Sequence, residues 1–98
     1  MDYSEQIWGT PYYIPPEKLR REPETFLADM YSLSGTLYHS LTGRTPFEAP
    51  EIDDVVLAHM NKPLTPPHKL VPSITRPTSD AIVRAMDKSP SNRYQSID

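Results

Sequence analysis

Apolar positions along this chain recur at helical spacing, and no run alternates with the period of two that a half-buried strand needs. From Phe26 to Thr42 the only formally charged residue is Asp29. At about 100° per residue, Phe26, Leu27, Met30, Tyr31, Leu33, Leu37, Tyr38 and Leu41 fall within an arc of roughly 160°. The opposite side carries Ala28, Ser32, Gly35, Thr36 and Ser40, which are small rather than charged. A surface helix would show Lys and Glu there. This segment is therefore expected to be a helix buried all round, with its small face approached closely by something else. Gly43 is placed to end it as a C-cap, and Pro46 soon follows.

Proline divides the rest. The chain has 12 prolines in 98 residues, more than twice average usage. Proline in a helix interior costs about 3 kcal/mol, so the proline-free windows Glu24–Thr45, Glu51–Lys62 and Thr78–Ser89 are where helices are expected. The second window opens with Pro50 at an expected first helical position and with Glu51, Asp53 and Asp54 in its first turn. Both features suit a helix N-terminus. Ile52, Val55, Val56 and Met60 keep a helical period there, as Ile82, Val83, Ala85 and Met86 do in the third window, with Asp80 early and Lys88 late. Lys62–Pro77 is expected to be an irregular loop, and its Pro63-Leu64-Thr65-Pro66 a structured turn rather than an SH3 ligand. Tyr94–Asp98 is expected to begin another helix. The fold class is all-α, one small domain.

Composition then narrows the function classes. The net charge of −3 comes from 10 basic and 13 acidic residues with no basic stripe, which argues against nucleic acid as a partner. With 0 cysteines there is neither a disulfide framework nor a thiolate metal site. Met1–Trp8 has no basic region or apolar run of the kind a signal peptide carries, and no stretch approaches the roughly 20 apolar residues of a membrane span. A cytoplasmic protein is the expectation. His39, His59 and His68 lie in different elements, so packed or solvated histidines are expected rather than a metal site. The acidic residues Glu48, Glu51, Asp53 and Asp54 suit a solvated helix start. No glycine-rich phosphate loop is present.

The run Gly9-Thr-Pro-Tyr-Tyr-Ile-Pro-Pro-Glu17, followed by Asp29-Met-Tyr-Ser-Leu33, carries the most specific signal. Leu41-Thr-Gly-Arg-Thr-Pro-Phe47 and Ser89-Pro-Ser-Asn-Arg93 follow in order. Together they resemble the end of the activation segment and the lower large lobe of a eukaryotic-like Ser/Thr protein kinase, nearest in flavour to the bacterial group. The resemblance runs from Gly9 to Ser96. It implies a partial kinase C-lobe over 1–98, with 1–17 closing the activation segment and 18–98 forming an irregular helical subdomain. That subdomain would hold a short helix after Pro-Pro-Glu, a long central helix, two further helices and the start of a last one.

Roles follow from the same resemblance. Thr10 would hydrogen-bond the catalytic aspartate and help to orient the acceptor hydroxyl. Ile7, Pro11 and Ile14 would line the pocket for the residue after the phosphoacceptor, which should then be apolar. Glu17 would pair with Arg93 between the last helices, and Asp29 would hold the backbone of the catalytic loop. The plainer reading of Glu17 and Asp29 is that of acids near helix N-termini. Several positions depart from the family pattern: Pro15 replaces Ala, Ser34-Gly35 inverts the Gly-then-small order and leaves Ser34 tight, and Ser40 replaces an apolar anchor. Gln6 stands where relatives carry an activating phosphothreonine, and Tyr94 where proline often follows the arginine.

Phosphoryl transfer needs a lysine on the phosphates, metal-binding acids and a catalytic-loop aspartate. None has a counterpart in these 98 residues. The expectation is a kinase fragment that carries the substrate-binding loop, binds no cofactor itself (ATP and Mg belonging to the parent enzyme) and is inactive alone. Its partners would be the parent's protein substrate, the remainder of the kinase domain and, through the uncovered central helix, a second copy of itself. The competing reading is a pseudokinase remnant that serves as a protein-interaction module. The coding sequence upstream of Met1 separates the two: a His-Arg-Asp loop and an Asp-Phe-Gly motif there favour the enzyme. An unrelated proline-rich helical domain is the third reading.

Overall fold

A computed structural model describes residues 12–96, and over that range the chain forms helices and turns without a strand. Five α-helices follow one another: α1 Pro16–Leu19, α2 Phe26–Thr42, α3 Ile52–Asn61, α4 Pro67–Leu70 and α5 Arg76–Ala85, before a 3-10 turn at Pro90–Asn92.

Local chemistry sets each boundary. The Thr25 hydroxyl caps α2 by accepting from the Leu27 N–H at 3.1 Å. Gly43 closes the helix at φ 76°, its N–H donating to the His39 carbonyl at 2.8 Å. That left-handed cap is the one the sequence marks. α3 keeps Asp53 and Asp54 in its first turn, but Glu51 is its N-cap, so Pro50 precedes the helix rather than opening it. α5 begins at Arg76, earlier than the proline-free window allows. The Thr75 hydroxyl caps it, and Pro77 sits in the first turn, where its missing N–H costs nothing. The same tolerance explains α4. Pro67 starts a short helix inside the stretch expected to be irregular. Tyr94–Ser96, the described part of the expected last helix, is not helical; Ile97 and Asp98 lie outside the described residues.

α2 is the spine. It packs against α4 and α5, which also pack on each other, while α1 lies against α3. Tyr31, Tyr38, Ile82 and Met86 form the core, with Leu64 and Leu70 against it. The Tyr38 hydroxyl donates to the Thr65 carbonyl at 2.7 Å, which fixes the proline-rich loop over α2.

The expectation that α2 is buried on all sides is met on one side only. Ala28, Tyr31, Gly35 and Tyr38 are buried, whereas Phe26 is 43% exposed, Leu33 72%, Leu37 46% and Leu41 39%. The described elements supply cover for one face of the helix. With Ala81, Ala85 and Tyr94, the bare face lines an open apolar groove of about 430 Å³.

Candidate functional site

Two places on this scaffold hold the residues that sequence marked. The first is the buried junction of α1, α2 and the 3-10 turn. Pro15 and Pro16 fix the entry to α1, and Glu17 follows in its first turn, buried. Arg21 ends the turn with φ 58°, a left-handed geometry in which glycine is the usual residue. Arg93 is fully buried and reaches Glu17 from across the fold. Its Nη1 donates to Glu17 Oε2 at 2.6 Å and its Nη2 to Oε1 at 2.8 Å. Two further donors are used as well: Nη1 to the Leu27 carbonyl at 2.9 Å and Nε to the Asp87 carbonyl at 2.7 Å. Burial alone would raise the Glu17 carboxyl; the hydrogen bonds and charge of Arg93 outweigh it and hold the group below its ordinary range.

Behind the pair stands Tyr31. The guanidinium carbon of Arg93 lies 4.9 Å from its ring centroid, and its hydroxyl is 2.6 Å from His59 Nδ1. Burial pushes the Tyr31 phenol well above its usual range, so it remains an O–H donor. His59, also buried, meets Phe47 edge-on with ring centroids 4.9 Å apart. Lys88 completes this side. Its ammonium donates to the carbonyls of Ala58 at 3.2 Å and His59 at 2.9 Å, and lies 4.6 Å over the Phe47 ring. Burial lowers the Lys88 amine to about 8. Sequence reading placed this lysine at the end of α5; it caps the C-terminus of α3 instead. No local pattern signals that contact.

The second place is the loop ahead of α1. Ile7, Thr10 and Pro11 lie outside the described residues, so of the expected substrate-pocket residues only Ile14 is placed, half-buried beside Tyr13. Tyr13 is the residue that sequence reading passed over. Its carbonyl accepts from Ser32 Oγ at 2.9 Å, and its hydroxyl is 2.8 Å from His39 Nδ1. A Cβ at position 35 would come within 3.2 Å of Tyr13 Cδ1, so Gly35 is where the ring approaches the α2 backbone. The small face of α2 thus receives Tyr13, and Gly35 rather than Ser34 is the crowded position. Asp29 is exposed in the first turn of α2 and has no hydrogen bond or ion pair among the described residues.

The histidines do not converge. His39 meets Tyr13, His59 meets Tyr31, and His68 Nδ1 lies 2.8 Å from the buried Ser79 hydroxyl. Among the described residues no group of three or more His, Asp or Glu could hold a metal, and no helix is long and apolar enough to cross a membrane.

Comparison with known proteins gives one consistent result. Residues 2–97 match the protein kinase domain. The chain is 36% identical over 91 residues to the serine/threonine-protein kinase Pkn1 of Myxococcus xanthus, covering 93% of this chain and 13% of that protein. It is 36% identical over 86 residues to the serine/threonine-protein kinase PknE of Mycobacterium tuberculosis, covering 88% of this chain and 15% of the relative. Against the serine/threonine-protein kinase PknH of Mycobacterium bovis it is 33% identical over 88 residues, or 90% of this chain and 15% of that one. The chain therefore spans only 13 to 15% of the length of these relatives.

Proposed function

This chain belongs to the protein kinase domain family, and from that premise we propose that it is the substrate platform and lower helical part of a Ser/Thr protein kinase. The parent enzyme transfers the terminal phosphoryl group of ATP to Ser or Thr of a protein. The single observation that carries the reading is the buried, bidentate Glu17–Arg93 pair. It fastens the residue that closes the substrate-binding loop to the turn after α5. Such a pair costs too much desolvation to be kept for stability alone, and its value is in fixing geometry.

In this reading Thr10 orients the acceptor hydroxyl, and Ile7, Pro11 and Ile14 form an apolar wall for the residue that follows it. Asp29, exposed and facing away from the described core, holds the backbone of the catalytic loop in the complete domain. Among the described residues nothing is arranged to take ATP or Mg. Gly43 is spent on a helix cap and Gly35 on the close approach of the Tyr13 ring, and no acidic cluster among the described residues could take a divalent ion. In this reading nucleotide and metal are held by other parts of the kinase domain, which also cover the bare face of α2. The enzyme works in the cytoplasm on a protein substrate.

The test is phosphoryl transfer from radiolabelled ATP. The domain encoded with its upstream sequence phosphorylates a generic protein substrate on Ser or Thr, whereas the 98-residue chain alone does not. Transfer by the isolated chain, or none by the complete domain, refutes the reading. The exposed apolar face of α2 favours one alternative, a docking module without catalysis. An upstream sequence lacking the catalytic-loop aspartate would select it.

A further inference from the structure

We propose that a cleft between the loops after α2 and α3 binds the phosphate of a phosphorylated Ser or Thr side chain, held by Arg44 and Lys62. The choice of a phosphoprotein as the source rests on the kinase reading above, since the parent enzyme makes such side chains. The anion site itself rests on geometry.

The cleft holds about 190 Å³. Arg44 and Glu48 come to it from the loop after α2, Lys62 and Thr65 from the loop after α3. The buried Tyr38 also lines it and ties the two loops together, its hydroxyl donating to the Thr65 carbonyl at 2.7 Å. Burial raises the Tyr38 phenol, the Arg44 charge opposes that rise and the Glu48 charge adds to it. Both charges therefore act on the same enclosed space.

Both cations start from fixed backbone. The Arg44 N–H donates to Thr42 Oγ at 3.1 Å, and the Lys62 N–H to the Ala58 carbonyl at 2.9 Å. Among the described residues neither side chain has a hydrogen bond or an ion pair. A cation just past a helix usually serves the last carbonyls. At α3 that place is taken by Lys88, and at the end of α2 the Gly43 N–H serves the His39 carbonyl. Two unused cations in one cleft call for an anion.

Size and lining say which kind. Pockets for whole drug-sized molecules begin at roughly 300 Å³, so this one suits a terminal group. No ring is free to stack on a nucleobase: Tyr38 is buried, and Phe47 carries Lys88 over its face and meets His59 edge-on. A phosphate monoester can accept both N–H groups of the Arg44 fork on two oxygens and the Lys62 ammonium on the third. Glu48 is the one acid in the lining. With two cations against it the net pull is positive and grows with ligand charge, which favours a phosphate dianion over a carboxylate.

The test uses the chain joined to its upstream kinase sequence and a fluorescent phosphoserine peptide of otherwise uncharged sequence, read by anisotropy. The phosphopeptide binds and its unphosphorylated counterpart does not. Arg44→Gln and Lys62→Gln each weaken binding roughly fivefold, and Glu48→Gln tightens it roughly twofold. Lys69→Gln removes an equal charge outside the lining and leaves binding unchanged. All four side chains are exposed, so the fold survives these changes. Inorganic phosphate displaces the peptide only at much higher concentration. Equal binding of the unphosphorylated peptide, or a loss in Lys69→Gln equal to that in Lys62→Gln, overturns the site. Inorganic phosphate that binds as tightly as the peptide overturns the phosphoprotein assignment. Binding is read without catalysis, so a domain that holds the phosphopeptide yet transfers no phosphate refutes the kinase reading and leaves the cleft standing.

Discussion

Arg93 grips Glu17 with both terminal nitrogens, at 2.6 and 2.8 Å, although the two residues are 76 positions apart. Neither side chain reaches solvent: Arg93 is 0% and Glu17 2% exposed. Removing one partner leaves a buried charge without its counterion. Glu17→Gln or Arg93→Leu should each cost about 3–5 kcal/mol in urea denaturation. The double variant Glu17→Leu with Arg93→Met should recover much of that loss, because the penalty comes from the orphaned charge rather than from the missing bond. Equal losses in the single and double variants would contradict this account.

The same pair gives the chain an acid limb. The Glu17 carboxyl titrates lower in the folded chain than its ordinary 4.5. A depressed carboxylate contributes stability that is fully present above the unfolded pKa and is lost as pH falls through the folded one. Stability measured from pH 6 downward should therefore hold until about 4.5 and fall below it. In Glu17→Gln the chain starts less stable and the part of the decline owed to this residue disappears. A parallel decline in both proteins would show that other groups dominate the acid limb.

Lys88 holds the C-terminal turn of α3 through the Ala58 and His59 carbonyls, with Phe47 beneath its ammonium. A cation at a helix C-terminus is favoured by the dipole as well as by the bonds. Lys88→Met keeps the stem and removes the charge, and should cost about 1–2 kcal/mol. Hydrogen exchange should quicken in α3 and remain unchanged in α5. If both helices quicken alike, Lys88 supports the whole fold rather than one helix end.

How much of this was legible depends on the range of the cause. The extent of α2 was readable because its signals are local: apolar spacing from Phe26 onward and Gly43 behind it, with the Thr25 cap added by the structure. α4 and the start of α5 were misjudged because Pro67 and Pro77 were read as breakers and a helix-opening place was given to Pro50 alone, whereas Pro67 and Pro77 both stand in first turns. The small face of α2 was recognisable as a surface of close approach, but its occupant was not. Tyr13 finds that face only once the chain has folded back over it. The Glu17–Arg93 contact was expected from resemblance to kinases, since no periodicity connects positions so far apart. The Lys88 contact had no signal in sequence, because it depends on where two elements distant in the chain come to rest.

The bare face of α2 leads to the last prediction. Leu33, Leu37, Leu41 and Phe26 are all more than one-third exposed on one helix of an otherwise folded chain. An apolar stripe of that kind is costly in water and marks an association surface. On the function proposed above, its cover in the complete domain is the remainder of the kinase; for the chain alone the available cover is another copy. The isolated chain should therefore show a mass by light scattering that rises with concentration. Leu33→Lys, at the most exposed of these positions, should return it to a monomer without loss of helix content. Tethering the upstream kinase sequence should have the same effect by covering the stripe internally. A monomer at every concentration would show that the stripe is tolerated in water, and Leu33→Lys would then leave the mass unaltered.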